Sequence, residues 1–579
     1  MSFKESIPAP AQAVTFVGER QVTHRTANSL GEVSLVGQCL ATPAEFEVAA
    51  EQALNTADMT PLQDLPGSHT AIMDRQAGCI VATDLAGQFR FCWQQDDKGV
   101  RLSLDGRHLG STPSAGYLAA SIICASEVTS GQTALDGVWR LEAGQTGRFT
   151  SRGVEAITDS TVFPDPTVTL ADAAHSLREA LTEAVVRRVE LGKVMTSDFS
   201  GGFDSTTLAL LAADALPTGI DAFVNYRAGL AVGDLHFAQR IADSHRNVRL
   251  HARLQDTATL PFASMATWSV AGTGPDPWTV SGASTNNYLA MLQGYGSQIH
   301  MSGDGGDGIL SPPSSYMVDL ARQGDYQQLR QVAQARGRLT NRDPAQIYDK
   351  ALYDATRSVA DDMLDLSGCL LDPEGLRDNT QPPRYTWMGI PEQHIYFLSA
   401  AARRLLSEQA ERRAVEIAAS ADGNVANYMS LAEMRGGGEG QHYLQLHAQR
   451  YGLEVHSPYL DKRVIEACLQ APAYARALPG KFKYILQKAF SDVLPDALLS
   501  RTSKSAYDGE MYRGLRTSLN EITSLVTDNC RLADLGVIEP RRVLQELYTL
   551  DMGKQGMMAA IERVIAAEMW LRQLDGGIQ

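Results

Sequence analysis

Val194-Met195-Thr196-Ser197-Asp198-Phe199-Ser200-Gly201-Gly202-Phe203-Asp204-Ser205 runs directly into Thr206 to Leu216. The segment from Val194 to Phe199 reads as a strand. Leu208, Leu211, Ala212 and Ala215 share one face of the helix that follows, and Pro217 and Gly219 stop it. The loop Ser200 to Ser205 therefore stands at the carboxyl end of a strand, where open α/β sheets bind ligands. Gly201 and Gly202 let the backbone come close to a ligand and adopt φ values that other residues resist. Ser205 opens the helix, whose unpaired N–H groups and dipole favour an anion. Ser200 and Ser205 add hydroxyl donors.

The alternation continues outward. Ile220 to Tyr226, Val248 to Leu254 and Gln298 to Ser302 read as further strands, with helices between them, one at Asp234 to His245. That order predicts an α/β unit with a doubly wound parallel sheet. Residues 315 to 575 read as mostly helical. Upstream, Leu177, Leu181, Ala184 and Val185 line one face of a helix ending near Gly192. Pro164-Asp165-Pro166 marks a break, which divides the chain into residues 1–165 and 166–579. The first part is β-rich. Thr70 to Met73, Cys79 to Ala82, Phe89 to Trp93 and Val100 to Leu104 are strand-like, and Pro43 to Asn55 and Ser114 to Ser126 are helical. An α+β sandwich, two layers of sheet with helices on their faces, is expected there. No internal repeat or low-complexity tract occurs.

With 579 residues, two or more domains are expected. A net charge of -16 argues against nucleic acid as the main partner. No stretch of apolar residues is long enough to span a membrane. Met1-Ser2-Phe3-Lys4-Glu5 does not begin a signal peptide. Seven cysteines without a CxxC pair suggest reduced thiols and a cytoplasmic location.

The 200–205 loop is not the GxxxxGK[ST] phosphate loop, because no lysine follows its glycines. Asp204 stands there instead. A carboxylate beside a polyphosphate needs a cation between them, so a nucleotide with Mg2+ is the expected ligand. Ser302-Gly303-Asp304-Gly305-Gly306-Asp307-Gly308 forms a second glycine-rich loop after a strand, near the same sheet edge. Asp307 is a second candidate metal ligand there, and its alternative is an Asx-turn carboxylate. Asp304 could orient or deprotonate an incoming amine, or merely brace the turn. Asp461, at the start of a helix, is explained by capping alone.

These segments resemble the asparagine synthetase family of the PP-loop ATP pyrophosphatases. Ser200 to Ser205 looks like the SGGxDS signature of that superfamily, and 302–308 like the family's SGEGxDE. His456-Ser457-Pro458-Tyr459-Leu460-Asp461 looks like RxPFLD, and Leu494-Pro495 with Arg501-Thr502-Ser503-Lys504 like LP…RxxK. The resemblance implies ATP binding by Ser200, Gly201, Gly202, Asp204, Ser205 and Gly303, and magnesium on Asp204 and Asp307. It also implies a catalytic role for Lys504, whose cation would face developing negative charge. Asp304 departs from the usual Glu of asparagine synthetases. Tyr226 ends the strand where family members hold the nucleotide base, although simple packing explains it equally.

Glutamine-dependent members begin Met-Cys, and here position 2 is Ser2. Their His-Arg-Gly-Pro-Asp segment is missing too. The resemblance therefore implies an N-terminal Ntn-type amidotransferase-like fold without glutaminase activity, and an amine drawn from elsewhere. Gly37-Gln38-Cys39-Leu40-Ala41-Thr42, Lys483-Tyr484-Ile485-Leu486, Tyr512-Arg513-Gly514-Leu515, Leu532 to Ile538 and Trp570-Leu571 resemble segments of the lasso peptide macrolactam synthetases. That branch implies adenylation of an Asp or Glu side chain of a linear core peptide and ring closure by its N-terminal amine. A leader-binding protein and a leader peptidase would be partners. The alternatives are a β-lactam-synthetase-like enzyme, an ammonia-dependent asparagine synthetase, and a nucleotide-binding regulator without catalysis.

Overall fold

The computed structural model describes residues 13–18, 22–159, 162, 164–227, 232–265, 268, 272–373, 392–417, 424–478, 480–501 and 508–575. Residues 13–159 build two sheets. One has four strands in the order β1 (Ala13–Phe16), β7 (Gly99–Ser103), β6 (Cys92–Asp96), β8 (Trp139–Arg140). The other has six, in the order β10 (Gly153–Asp159), β9 (Gln145–Thr150), β5 (Gly78–Ala82), β4 (Gly67–Arg75), β3 (Gly31–Cys39), β2 (His24–Asn28). Period-two alternation sorts the residues of the six-stranded sheet. Val36, Ile72, Cys79 and Val81 meet Val100, Leu102 and Phe91 between the sheets. Val33, Leu35, Met73 and Ile80 face the opposite way, onto Phe46, Ala50 and Leu54 of helix α1 (Pro43–Thr56). Both faces are buried, so β3 shows no alternation of polar and apolar residues to mark it. The expected strand at Phe89 to Trp93 is displaced, because the strand is Cys92–Asp96 and residues 89–91 belong to none.

The second part is organised on a five-stranded parallel sheet in the order β13 (Val248–Leu254), β12 (Ile220–Tyr226), β11 (Met195–Asp198), β14 (Ile299–Met301), β15 (Glu454–His456). The chain moves outward on one side from β11 to β13, then crosses to the other side of β11 for β14. The boundary between β11 and β14 is therefore a topological switch point, where a crevice opens beyond the carboxyl ends of the strands. Helices α2 (Leu170–Glu190) and α3 (Phe203–Ala215) pack in the core of this part. The rest is mostly helical, including α4 (Val232–Ala242), α5 (Gly282–Gly294), α6 (Gly306–Leu310), α7 (Val425–Gln449), α8 (Lys462–Leu469) and α9 (Tyr484–Ala489).

Strand β15 ends the sheet, and an edge strand leaves backbone groups without partners. Two glutamines cover it. Val455 N–H donates to Gln445 Oε1 at 2.8 Å, and the Val455 carbonyl accepts from Gln38 Nε2 at 2.8 Å. Gln38 belongs to β3, so the first part of the chain covers the sheet edge of the second. Two ion pairs cross the same seam, Arg187–Glu45 at 3.0 Å and Arg90–Glu439 at 2.6 Å. No disulfide joins the seven cysteines, five of which are buried. Among the described residues no helix is long and apolar enough to cross a membrane.

Candidate functional site

The loops after β11 and β14 meet at the switch point. The helix after the first loop begins earlier than its apolar face suggests. Phe203 is its first residue and Gly202 its N-cap, so Asp204 and Ser205 lie in its first turn. The loop is braced from within. The Ser205 hydroxyl lies 3.0 Å from that of Ser200 and accepts from Ser200 N–H at 3.1 Å, while Gly202 N–H donates to Ser200 Oγ at 3.2 Å. Gly201 has φ +69°, and a Cβ there would lie 2.7 Å from Ala238 N and 2.9 Å from Asp234 O. Its carbonyl accepts from Arg501 Nη1 at 2.7 Å, and the same guanidinium is ion-paired with Asp234 of α4.

The second loop lies directly against the first. A Cβ on Gly303 would sit 2.8 Å from Ser205 N, and one on Gly306 2.9 Å from Asp204 Cγ. Only glycine lets the two loops approach so closely. Asp204 and Asp307 both meet the ammonium of Lys483, which contacts Asp204 and lies 2.7 Å from Asp307 Oδ1. Lys483 is buried, Asp204 half-buried and Asp307 open to solvent. A pair of carboxylates that gathers a cation beside a glycine-walled loop at a helix N-terminus fits magnesium, which is held by one or two carboxylates together with substrate phosphates. Among the described residues no group of three or more His, Cys, Asp or Glu forms a denser metal cage.

Asp304 sits on the inner side of the same loop. Its Oδ2 accepts from Gln441 Nε2 of α7 at 3.3 Å, and Gln441 also contacts Ser457. Burial raises the Asp304 carboxyl to about 6, with the nearby charges of Asp198 and Asp204 adding to the shift and a hydrogen bond from Ser302 opposing it. Such a carboxylate is ionised at neutral pH yet basic enough to accept a proton. Asp198, at the end of β11, is itself held by Tyr288 Oη of α5 at 2.5 Å and by His300 Nε2 of β14 at 3.2 Å. Tyr459 Oη donates to the Asp204 carbonyl at 3.1 Å, and the Leu460 side chain fills the space where Gly305 lacks one.

The structure thus gathers Ser200, Gly201, Gly202, Asp204, Ser205, Gly303, Asp304 and Asp307 around one crevice. Tyr226 ends β12, beside β11, where its carbonyl accepts from Gln255 N–H at 2.8 Å. Lys504 lies outside the described residues, as does Ser2. The sequence model of the asparagine synthase family matches residues 176–572, which contain every member of this crevice.

The chain belongs to the asparagine synthase family. No curated protein matches it. Among solved structures, glutamine phosphoribosylpyrophosphate amidotransferase from B. subtilis, complexed with ADP and GMP, is similar over 50% of this chain, at 12% identity and a TM-score of 0.16. The matched region spans 64% of that structure's chain.

Sequence reasoning missed two members of the site and misassigned a third residue. Lys483 stood in the Lys-Tyr-x-Leu segment, but nothing local tied it to Asp204, 279 residues away. Gln441 is one polar residue on a long helix. Asp461 occupies the expected cap position, but its side chain makes no capping bond. It accepts instead from both terminal nitrogens of Arg188, at 2.7 Å each. A cavity of about 390 Å3 lies elsewhere, lined in part by Tyr428, Leu431 and Arg435 of α7, and there Arg90 and Arg140 are already paired with Glu439 and Glu142.

Proposed function

We propose that this chain is an ATP-dependent, AMP-forming amide ligase that closes an isopeptide macrolactam on a linear peptide. The observation that carries the ligase reading is the convergence of Asp204, Asp307 and Lys483 beside the Ser200–Ser205 loop, with Asp304 a short distance behind. The loop amides and hydroxyls would hold the departing pyrophosphate. Magnesium on Asp204 and Asp307 would offset its charge. The attacking group is a carboxylate of the peptide, which displaces pyrophosphate at the α-phosphate and becomes an acyl-adenylate. Asp304 then accepts a proton from the incoming amine as it attacks the acyl carbon and expels AMP. Lys504 would stabilise charge on the phosphates and the tetrahedral intermediate.

The peptide branch of this reading rests on the lasso-synthetase-like segments, including Gly37 to Thr42 and Lys483 to Leu486. An amine on the same molecule suits an N-terminal sandwich of amidotransferase type without the His-Arg-Gly-Pro-Asp segment. The division at residues 165 and 166 separates that part from the ligase part. The protein's larger task is then to hold amine and acyl carbon in near-attack geometry, with the tail trapped before closure. A leader-binding protein and a leader peptidase would deliver the core peptide.

ATP–pyrophosphate exchange tests this directly. Exchange that depends on a peptide bearing an Asp or Glu side chain supports the reading. Exchange supported by free aspartate and ammonia would replace it with an asparagine synthetase. No carboxylate-dependent exchange would remove the ligase reading altogether.

A further inference from the structure

The Lys483 ammonium contacts the same two carboxylates that the proposed function gives to magnesium. Its position is built by the fold. Lys483 precedes α9 in a left-handed backbone conformation, φ +50° and ψ +47°, which a lysine rarely adopts. The side chain is 1% exposed, and its Nζ stands 5.0 Å from the centroid of the Phe482 ring. Phe482 in turn lies 6.4 Å from Phe203 in the first turn of α3. A buried ammonium persists only where anions meet it, and Asp204 and Asp307 supply both. Gly306 leaves room for that carboxylate, since a Cβ there would lie 2.9 Å from Asp204 Cγ and 3.0 Å from its Oδ1.

A divalent ion on these carboxylates needs the same oxygen lone pairs, at about 2.0–2.1 Å. An ammonium in contact with both carboxylates already fills the space between them. Two cations at that separation repel strongly in a partly desolvated crevice. We propose that Lys483 and a divalent cation are alternative occupants of the Asp204–Asp307 pair. The lysine is a built-in counter-charge that keeps the two carboxylates together, and it withdraws when the metal enters. The adjacent Ser200–Ser205 loop is where the released ammonium would find a new anion, the polyphosphate. This inference rests on the proposed metal role of the two carboxylates, but its test does not use nucleotide, peptide or turnover.

The experiment measures Mn2+ binding to the full-length protein without nucleotide, from the loss of the free Mn2+ signal in electron paramagnetic resonance. Lys483→Met is expected to bind Mn2+ at least about tenfold more tightly than the unaltered protein. Adding Asp307→Asn to Lys483→Met is expected to abolish that gain. Equal or weaker binding by Lys483→Met overturns the proposal, as does a gain that survives Asp307→Asn. A second measurement needs no variant. Acetylation of Lys483 by an amine-reactive reagent, followed by peptide mass spectrometry, is expected to rise several-fold when Mn2+ is added. Unchanged or reduced labelling overturns the proposal even if the methionine variant fails to fold. Failure of the ligase reading would appear in the exchange assay and leave both measurements intact.

Discussion

The Asp461 carboxylate is gripped by the Arg188 guanidinium through two hydrogen bonds of 2.7 Å, with the side chains 3% and 0% exposed. Arg188 also donates from Nε to His456 Nδ1 at 3.0 Å. Burial lowers the His456 imidazole to about 4, so the ring is neutral and can accept that bond. One arginine on α2 therefore ties the end of β15 to the start of α8, with Leu460 between them against the 302–308 loop. Removing one partner of a buried pair leaves an uncompensated charge, at a cost of about 3–5 kcal/mol. Asp461→Asn is expected to lower stability by that order in urea denaturation. Arg188→Met with Asp461→Leu should recover much of the loss, because no charge is then stranded.

At Gly201, the constraint is steric. A methyl group would meet the Ala238 amide and the Asp234 carbonyl at a residue already in the left-handed region. Gly201→Ala is expected to lower ATP-dependent exchange at least about tenfold, equivalent to about 1.4 kcal/mol of lost transition-state stabilisation. Folding, followed by circular dichroism, should survive.

Asp304 is expected to link pH to both stability and rate. Its carboxyl is raised from 3.8 to about 6, so ionising it costs the folded state. The sign follows. Stability falls as pH rises from about 4 to about 6, and the penalty is complete above that. Asp304→Asn is therefore expected to melt at a higher temperature than the unaltered protein at pH 8, with the difference vanishing near pH 4. The same variant should lose amide formation by about 10²–10⁴-fold and lose the acidic limb near pH 6. A variant less stable at pH 8 would contradict the assignment.

Lys504→Ala is expected to reduce exchange by at least about 10²–10³-fold, the range for loss of a group aimed at developing charge. Full activity in that variant would exclude a catalytic role.

Helix α7 carries Gly436-Gly437-Gly438, and the three glycines face different surroundings. A Cβ on Gly438 would lie 1.9 Å from the Ala86 carbonyl across the domain seam, whereas Gly436 has nothing within 4 Å. Gly436→Ala is expected to stabilise by up to about 1 kcal/mol through helix propensity. Gly438→Ala should destabilise and make the seam more open to limited proteolysis.

Much of this site could be read locally. Strand, loop and helix at 194–216 are consecutive, and the glycines that let the backbones approach are visible as letters. So is the second loop at 302–308. What determines such features is short-range: side-chain periodicity, φ freedom and the chemistry of adjacent residues. Even there, the helix began at Phe203 because the first turn is defined by backbone geometry and not by its apolar face.

By itself, the sequence determined a parallel α/β unit, a glycine-rich loop between strand and helix, and the residues that resemble an adenylating ligase. Tertiary structure alone decided the rest. Glu454 to His456 is too short to announce a strand and becomes one only by pairing with β14. Asp461 could cap its own helix, and it turned to Arg188 because a buried carboxylate is better satisfied by a guanidinium than by backbone amides. Lys483 joined Asp204 and Asp307 because a buried ammonium needs anions, whatever their distance along the chain. Pairing between distant groups is set by where the folded backbone places them, and no local pattern encodes it.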